Sequence, residues 1–179
     1  MLTTENTGLI VVDVQGKLAH LVHDSDALIS NCGKLIKGSQ ALELPVIVLE
    51  QNPKKLGSTT DVLKALLNNI APITKFTFNA CESPDFVDSM SVHKVDTWLI
   101  CGIEAHICVY QTAKSLVERG YRVELVSDCV SSRTLDNKEI GINRLRDSGV
   151  EITSLEMCLY ELVKDCRSSE FKQILQLIR

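Results

Sequence analysis

Short, almost wholly apolar runs separated by helical patterns constrain this chain more than any other feature. Gly8–Val14 (GLIVVDV), Pro45–Leu49 (PVIVL) and Thr97–Cys101 (TWLIC) are the clearest, and Arg122–Ser127 and Val150–Thr153 repeat the theme. A strand that is apolar at nearly every position is buried on both faces, as in a parallel sheet covered by helices. The segments between supply those helices. Leu28, Ile29, Cys32, Leu35, Ile36 and Leu42 recur at helical spacing behind the candidate caps Asp24 and Ser25. Thr59–Leu67 and Pro84–Met90 read as short helices. Val109, Ala113, Leu116 and Val117 mark one face of a longer helix that Gly120 would end as a C′ residue. Asn137–Asp147 reads as a helix, and Thr153-Ser154-Leu155-Glu156 matches a capping box opening another that runs to Asp165. Phe171, Ile174, Leu175 and Ile178 give a last amphipathic helix. Residues 69–82, with Ile73-Thr74-Lys75-Phe76 in their midst, are less regular. Strands alternating with helices imply right-handed crossovers. The expected fold is a three-layer α/β/α sandwich around a mostly parallel, Rossmann-like sheet of about six strands. No linker, repeat or low-complexity tract divides residues 1–179, so one domain is expected.

Charge narrows the partners. A formal net charge of −4 offers no electrostatic basis for binding nucleic acid or an anionic membrane. Seven cysteines, an odd number with no CxxC pair, fit neither a zinc ribbon nor a thioredoxin motif. Free thiols in apolar surroundings fit a reducing compartment, so a cytoplasmic location is expected. Met1–Asn6 carries no basic stretch, and Leu9–Val12 is too short for a signal peptide or a membrane span.

In an open parallel sheet, ligands gather at the carboxyl ends of the strands. Asp13, Glu50, Gly102 and Asp128 each follow an apolar run and are expected on that edge. The segment Cys101-Gly102-Ile103-Glu104-Ala105-His106-Ile107-Cys108 reads as strand, tight turn and helix start. Cys108 would then sit at a helix N-terminus, where dipole and free amides favour a thiolate. Each candidate has a plainer role open to it: Asp13 as a cap, Lys75 as a solvated lysine, Cys108 as packing. Taken together they make chemical sense. A carboxylate takes the thiol proton, an ammonium supports the charges, and amides of the helix start receive an oxyanion.

The set Val12-Asp13-Val14-Gln15, Pro53-Lys54-Lys55-Leu56-Gly57, Ile73-Thr74-Lys75, GIEAHICVYQTA (102–113), Gly120-Tyr121-Arg122-Val123 and Ser127–Arg133 resembles the isochorismatase-like cysteine hydrolase family over nearly the whole chain. The Glu-Ala-His-Ile-Cys-Val and Pro-Lys-Lys-Leu-Gly variants are most similar to its isochorismatase domain-containing subgroup. The resemblance implies Asp13 as catalytic aspartate, Lys75 as catalytic lysine and Cys108 as nucleophile. It also implies a cis peptide joining Ile103 to Glu104, and an oxyanion hole from the backbone amides of Glu104 and Cys108. The implied reaction is hydrolysis of a C–N bond of a small molecule through a thioester. Isochorismatase proper cleaves a vinyl ether without a cysteine nucleophile, so an intact Asp-Lys-Cys set points away from that reaction.

Zinc-binding relatives of the nicotinamidase branch carry Asp-x-His after the second strand. Here those positions read Glu50-Gln51-Asn52-Pro53, with no histidine between His23 and His93. No metal and no cofactor are therefore expected. Gln15, Glu50, Gln51, Phe76 and His106 are candidate pocket residues, and Arg133 is expected to hold loop carboxylates. The family resemblance also implies a homo-oligomer, dimer or tetramer. The competing expectation is a catalytically idle binding or scaffold protein of the same fold, and a redox-responsive thiol at Cys108 is a third.

Overall fold

In the computed structural model, which describes residues 1–179, the apolar runs become strands of one all-parallel, six-stranded sheet. The strands are β1 (Thr7–Val12), β2 (Val46–Gln51), β3 (Ile73–Lys75), β4 (Thr97–Ile103), β5 (Arg122–Ser131) and β6 (Glu151–Thr153), in the spatial order β3-β2-β1-β4-β5-β6. The helices are α1 (Ser25–Ala41), α2 (Pro53–Leu56), α3 (Asp61–Lys64), α4 (Pro84–Val92), α5 (Cys108–Glu118), α6 (Leu135–Asp147), α7 (Leu155–Val163) and α8 (Phe171–Ile178). Every residue of β1 is buried, and its side chains alternate between the layers. Leu9 and Val11 join the core made with α1, α7 and α8, while Ile10 and Val12 join the one made with α4, α5 and α6. Each such side chain contributes about 1.5–3 kcal/mol on burial, which is why β1 carries no polar face. None of the helices is long and apolar enough to cross a membrane.

The chain runs outward from β1 to β2 and β3, then returns to lay β4 on the other flank of β1. The direction of winding reverses between β1 and β4, so the crevice at their carboxyl ends is where a ligand fits. Gly102 permits the close approach there. Its φ is +116°, and a Cβ would lie 2.0 Å from the Val12 carbonyl oxygen.

Several local expectations change. β5 does not stop at Ser127 but continues to Ser131 through a register shift, with Ile100 opposite Leu125 and Gly102 opposite Val130. The extra residues bulge from the ladder and turn Asp128 to the outside. Its carboxylate accepts from the Leu155 amide at 2.8 Å, at the start of α7, and its carbonyl accepts from the Asn31 side chain at 2.9 Å. Asp128 is thus a structural anchor and does not join Asp13. The helix expected over Thr59–Leu67 is reduced to α3, and α2 begins at Pro53. Ser154, not Thr153, caps α7, accepting from the Met157 amide at 3.3 Å, because Thr153 is still paired in β6. Asp24 precedes α1 in a left-handed conformation (φ 50°) and makes no side-chain cap. Gly120 does end α5: its φ is +90°, and the amides of Gly120 and Tyr121 close onto the carbonyls of Val117 and Leu116.

Candidate active site

Three strand ends converge in the crevice. Asp13 follows β1 with a φ of 51° and is 2% exposed; Lys75 ends β3 and is 1% exposed. β2 lies between them, and the register that sets Gln51 beside Lys75 brings the lysine within reach of both. Lys75 Nζ donates to Asp13 Oδ2 at 2.7 Å, to Gln51 Oε1 at 2.7 Å and to the Thr77 carbonyl at 3.3 Å. All three ammonium protons are spent, which is how an ammonium can be held this deep. The other oxygen of Asp13, Oδ1, is buried with no hydrogen-bond partner.

Cys108 is the first residue of α5, 7% exposed, and Asp13 and Lys75 are the charges that act on its thiol. Burial and then the Asp13 carboxylate push that thiol up to about 12, against the pull of Lys75. The sequence-based expectation of a readily formed thiolate is therefore corrected. A helix N-terminus offers about half a positive charge, and this is outweighed by loss of water and a full negative charge next door. Burial also raises Asp13 above the ordinary carboxylate value, in spite of Lys75. At rest a protonated thiol lies beside Asp13, one of whose oxygens is idle.

The turn between β4 and α5 completes the crevice. The Ile103–Glu104 peptide is cis. The Ala105 amide donates to the Ser131 carbonyl at 2.8 Å, and the Ile107 and Val109 amides converge on the Glu104 carbonyl at 3.0 and 3.2 Å. The Glu104 and Cys108 amides donate to no backbone acceptor. Oε1 of Glu104 is held by Arg133, through its amide at 3.2 Å and its Nε at 3.1 Å. Gly141 of α6 packs onto the same turn, and a Cβ there would come within 2.8 Å of the Ala105 carbonyl group.

Residues 7–157 match the isochorismatase domain. The chain belongs to the isochorismatase family. Isochorismatase domain-containing protein 2 of Danio rerio is 34% identical to it over 177 residues, covering 99% of this chain and 89% of the relative. The solved structure of the MAR1 ribonuclease from Caenorhabditis elegans has a TM-score of 0.93 at 34% identity, covering 99% of this chain and 91% of that one. The YcaC gene product of Escherichia coli, described as an octameric hydrolase of unknown specificity, has a TM-score of 0.92 at 22% identity, covering 98% and 89%.

In this member of the isochorismatase family the crevice holds a cavity of about 80 Å³ walled by Leu18, Leu56, Phe78, Ile103 and Ile107, with Asp13 and Cys108 opening into it. Gln15 and Gln51 also line it. Their side chains are knitted into the protein: Gln15 Nε2 donates to the carbonyls of Gln51 and Gly57, and its Oε1 accepts from the Gln51 amide. The other candidate pocket residues lie elsewhere. Glu50 turns away to accept from the Thr59 amide at 2.6 Å and the Thr59 hydroxyl at 2.8 Å, anchoring the loop after α2. Phe76 is 71% exposed, since alternation past Lys75 sends it outward. His106 is held off the cavity by Ser132, its Nδ1 2.9 Å from Oγ. Sequence reasoning missed Leu18, Leu56, Phe78 and Ile107, which come from turns and the single-turn helix α2, all too short to show periodicity, and Gly141, whose only signal was a glycine inside a helix. No three His, Cys, Asp or Glu side chains cluster as a metal site would require.

Proposed function

We propose that the chain is a hydrolase that cleaves a C–N bond of a small molecule through a thioester on Cys108, with Asp13 as the base and Lys75 as its electrostatic support. The observation that carries this reading is the asymmetry of Asp13. One oxygen is saturated by Lys75; the other is buried, unpartnered, and in the same cavity as a thiol. A thiol near 12 is a poor resting nucleophile, so proton transfer to Asp13 accompanies attack. Sγ bonds to the carbonyl carbon as Asp13 takes the proton. The oxyanion is received by the Glu104 and Cys108 amides, which have no other acceptor. Collapse breaks the C–N bond, and Asp13 returns the proton to the departing nitrogen. Water, deprotonated by Asp13, then attacks the thioester carbon; the C–S bond breaks and the sulfur regains its proton. Lys75 has no N–H left for substrate, so its part is to hold and orient the carboxylate. No step calls for a metal.

Ribonuclease is the name of the nematode protein; here a net charge of −4 and an apolar cavity support a small molecule instead. Self-association belongs to the same reading, in keeping with the octamer described for YcaC, and light scattering of the pure protein measures it. The test of function is a screen of amides, carbamates, hydroxamates and an RNA, with wild type beside Cys108→Ala and intact-mass detection of an acylated protein. Turnover that vanishes in Cys108→Ala, with an acyl adduct in wild type, is expected. Equal behaviour of the two proteins on every compound would leave an idle binding protein.

A further inference from the structure

We infer that the substrate is a small, uncharged amide with a short apolar acyl group. This rests on the hydrolase reading and names the class it acts on. The cavity measures about 80 Å³. That is far below the roughly 300–1,000 Å³ of a drug-sized pocket. It takes the reacting carbonyl, its nitrogen and a short chain, and anything longer lies at the mouth against Leu56 and Phe78, which are 38% and 55% exposed.

The walls carry no charge to spare. Asp13 is paired with Lys75, and Glu104 with Arg133 at 3.1 Å. Both amide protons of Gln15 go to backbone carbonyls. Gln51 takes the lysine on its oxygen and gives one N–H to the Phe76 carbonyl at 2.8 Å, leaving a single neutral donor. A carboxylate on the substrate would lose water here and gain no partner, which is costly, and an ammonium on the idle oxygen of Asp13 would occupy the base that the thiol needs. A carboxylate would also face Asp13. What the cavity can reward is apolar contact of limited length, together with the two idle amides for the carbonyl oxygen.

The test reads pocket selectivity and turnover separately. Cys108 is alkylated with iodoacetamide, iodoacetate and N-hexyl iodoacetamide, and exposed Cys166 in the same sample serves as reference. Relative to Cys166, Cys108 is expected to prefer iodoacetamide over each of the other two by at least about 10-fold, and Phe78→Ala is expected to restore the hexyl reagent only. Identical reagent ratios at the two cysteines overturn the inference. Hydrolysis is then followed for acetamide, propionamide, butyramide, octanamide and succinamate with wild type and Cys108→Ala. Cys108-dependent turnover of the short neutral amides supports it. Such turnover confined to octanamide or succinamate overturns the inference and leaves the hydrolase standing. No Cys108-dependent turnover of any amide overturns the hydrolase reading, and the substrate class falls with it.

Discussion

Replacing Lys75 by Met isolates what its ammonium does for Asp13. Methionine keeps the length and apolar stem of the side chain but leaves the carboxylate buried at 2% exposure without its partner at 2.7 Å. Breaking a buried pair from one side costs about 3–5 kcal/mol. An independent route gives the same scale: unit charges about 4 Å apart interact by about 4 kcal/mol at an effective dielectric constant of 20. The loss raises Asp13 further, because the ammonium then no longer offsets its burial. Asp13 already lies above its ordinary value through burial. The folded state therefore holds this proton more tightly than the unfolded chain. The stability tied to it is full below the unfolded carboxylate range and is lost as pH rises through the folded value; Lys75→Met moves that loss to higher pH. Two measurements follow the effect. Urea unfolding at pH 7 reads the stability loss from the midpoint at constant slope, and Asp13→Asn/Lys75→Met should recover most of it, since no charge is then stranded. The rate of Cys108 acylation against pH should show its acid limb displaced to higher pH. A Lys75→Met protein within about 1 kcal/mol of wild type, with its acid limb unmoved, would refute the reasoning.

Gly141→Ala puts a methyl group within 2.8 Å of the Ala105 carbonyl group and 2.9 Å of the His106 amide nitrogen, both backbone. It should cost about 1–3 kcal/mol in urea unfolding and lower kcat through the displaced turn more than it alters KM. Glu50→Ala strips the Thr59 amide and hydroxyl of their acceptor. A loss of about 1–3 kcal/mol is expected, with kcat kept, because Glu50 supports a loop and lies off the cavity. On the alkaline side, the Cys108 thiol is held near 12 against an ordinary 9.0, so the fold keeps a proton that the unfolded chain gives up. Wild-type stability should fall relative to Cys108→Ala as pH rises from about 8 to 10.5; parallel curves would contradict the burial of that thiol. Cys158, also near 12, contributes equally to both proteins and cancels.

Much of this was legible from residue order. The doubly apolar runs at Leu9–Val12 and Leu99–Cys101 could be satisfied only inside a covered parallel sheet, because an antiparallel strand with one wet face would alternate. Gly120 announced the end of α5, since a positive φ there suits little else. Asp13 and the turn before Cys108 were visible because strand ends are where such sheets bind ligands.

Other features depended on three dimensions. Asp128 has the same sequence signature as Asp13, an acid after an apolar run, and only the three-residue slip of β5 against β4 sends it to α7. Glu50 and Gln51 are neighbours on β2, yet alternation sends one to Thr59 and the other to Lys75. The ionisation of Cys108 was misjudged from sequence because a helix start is a local feature, whereas burial and the Asp13 charge come from chain segments nearly a hundred residues away. The sequence by itself determined the layers, the parallel run of the strands and which residue types could meet at the sheet's edge. The tertiary structure alone decided which charges are paired, which oxygen of Asp13 is left idle and how small the cavity is. Periodicity reports burial along one element, while pairing and volume are set where elements meet.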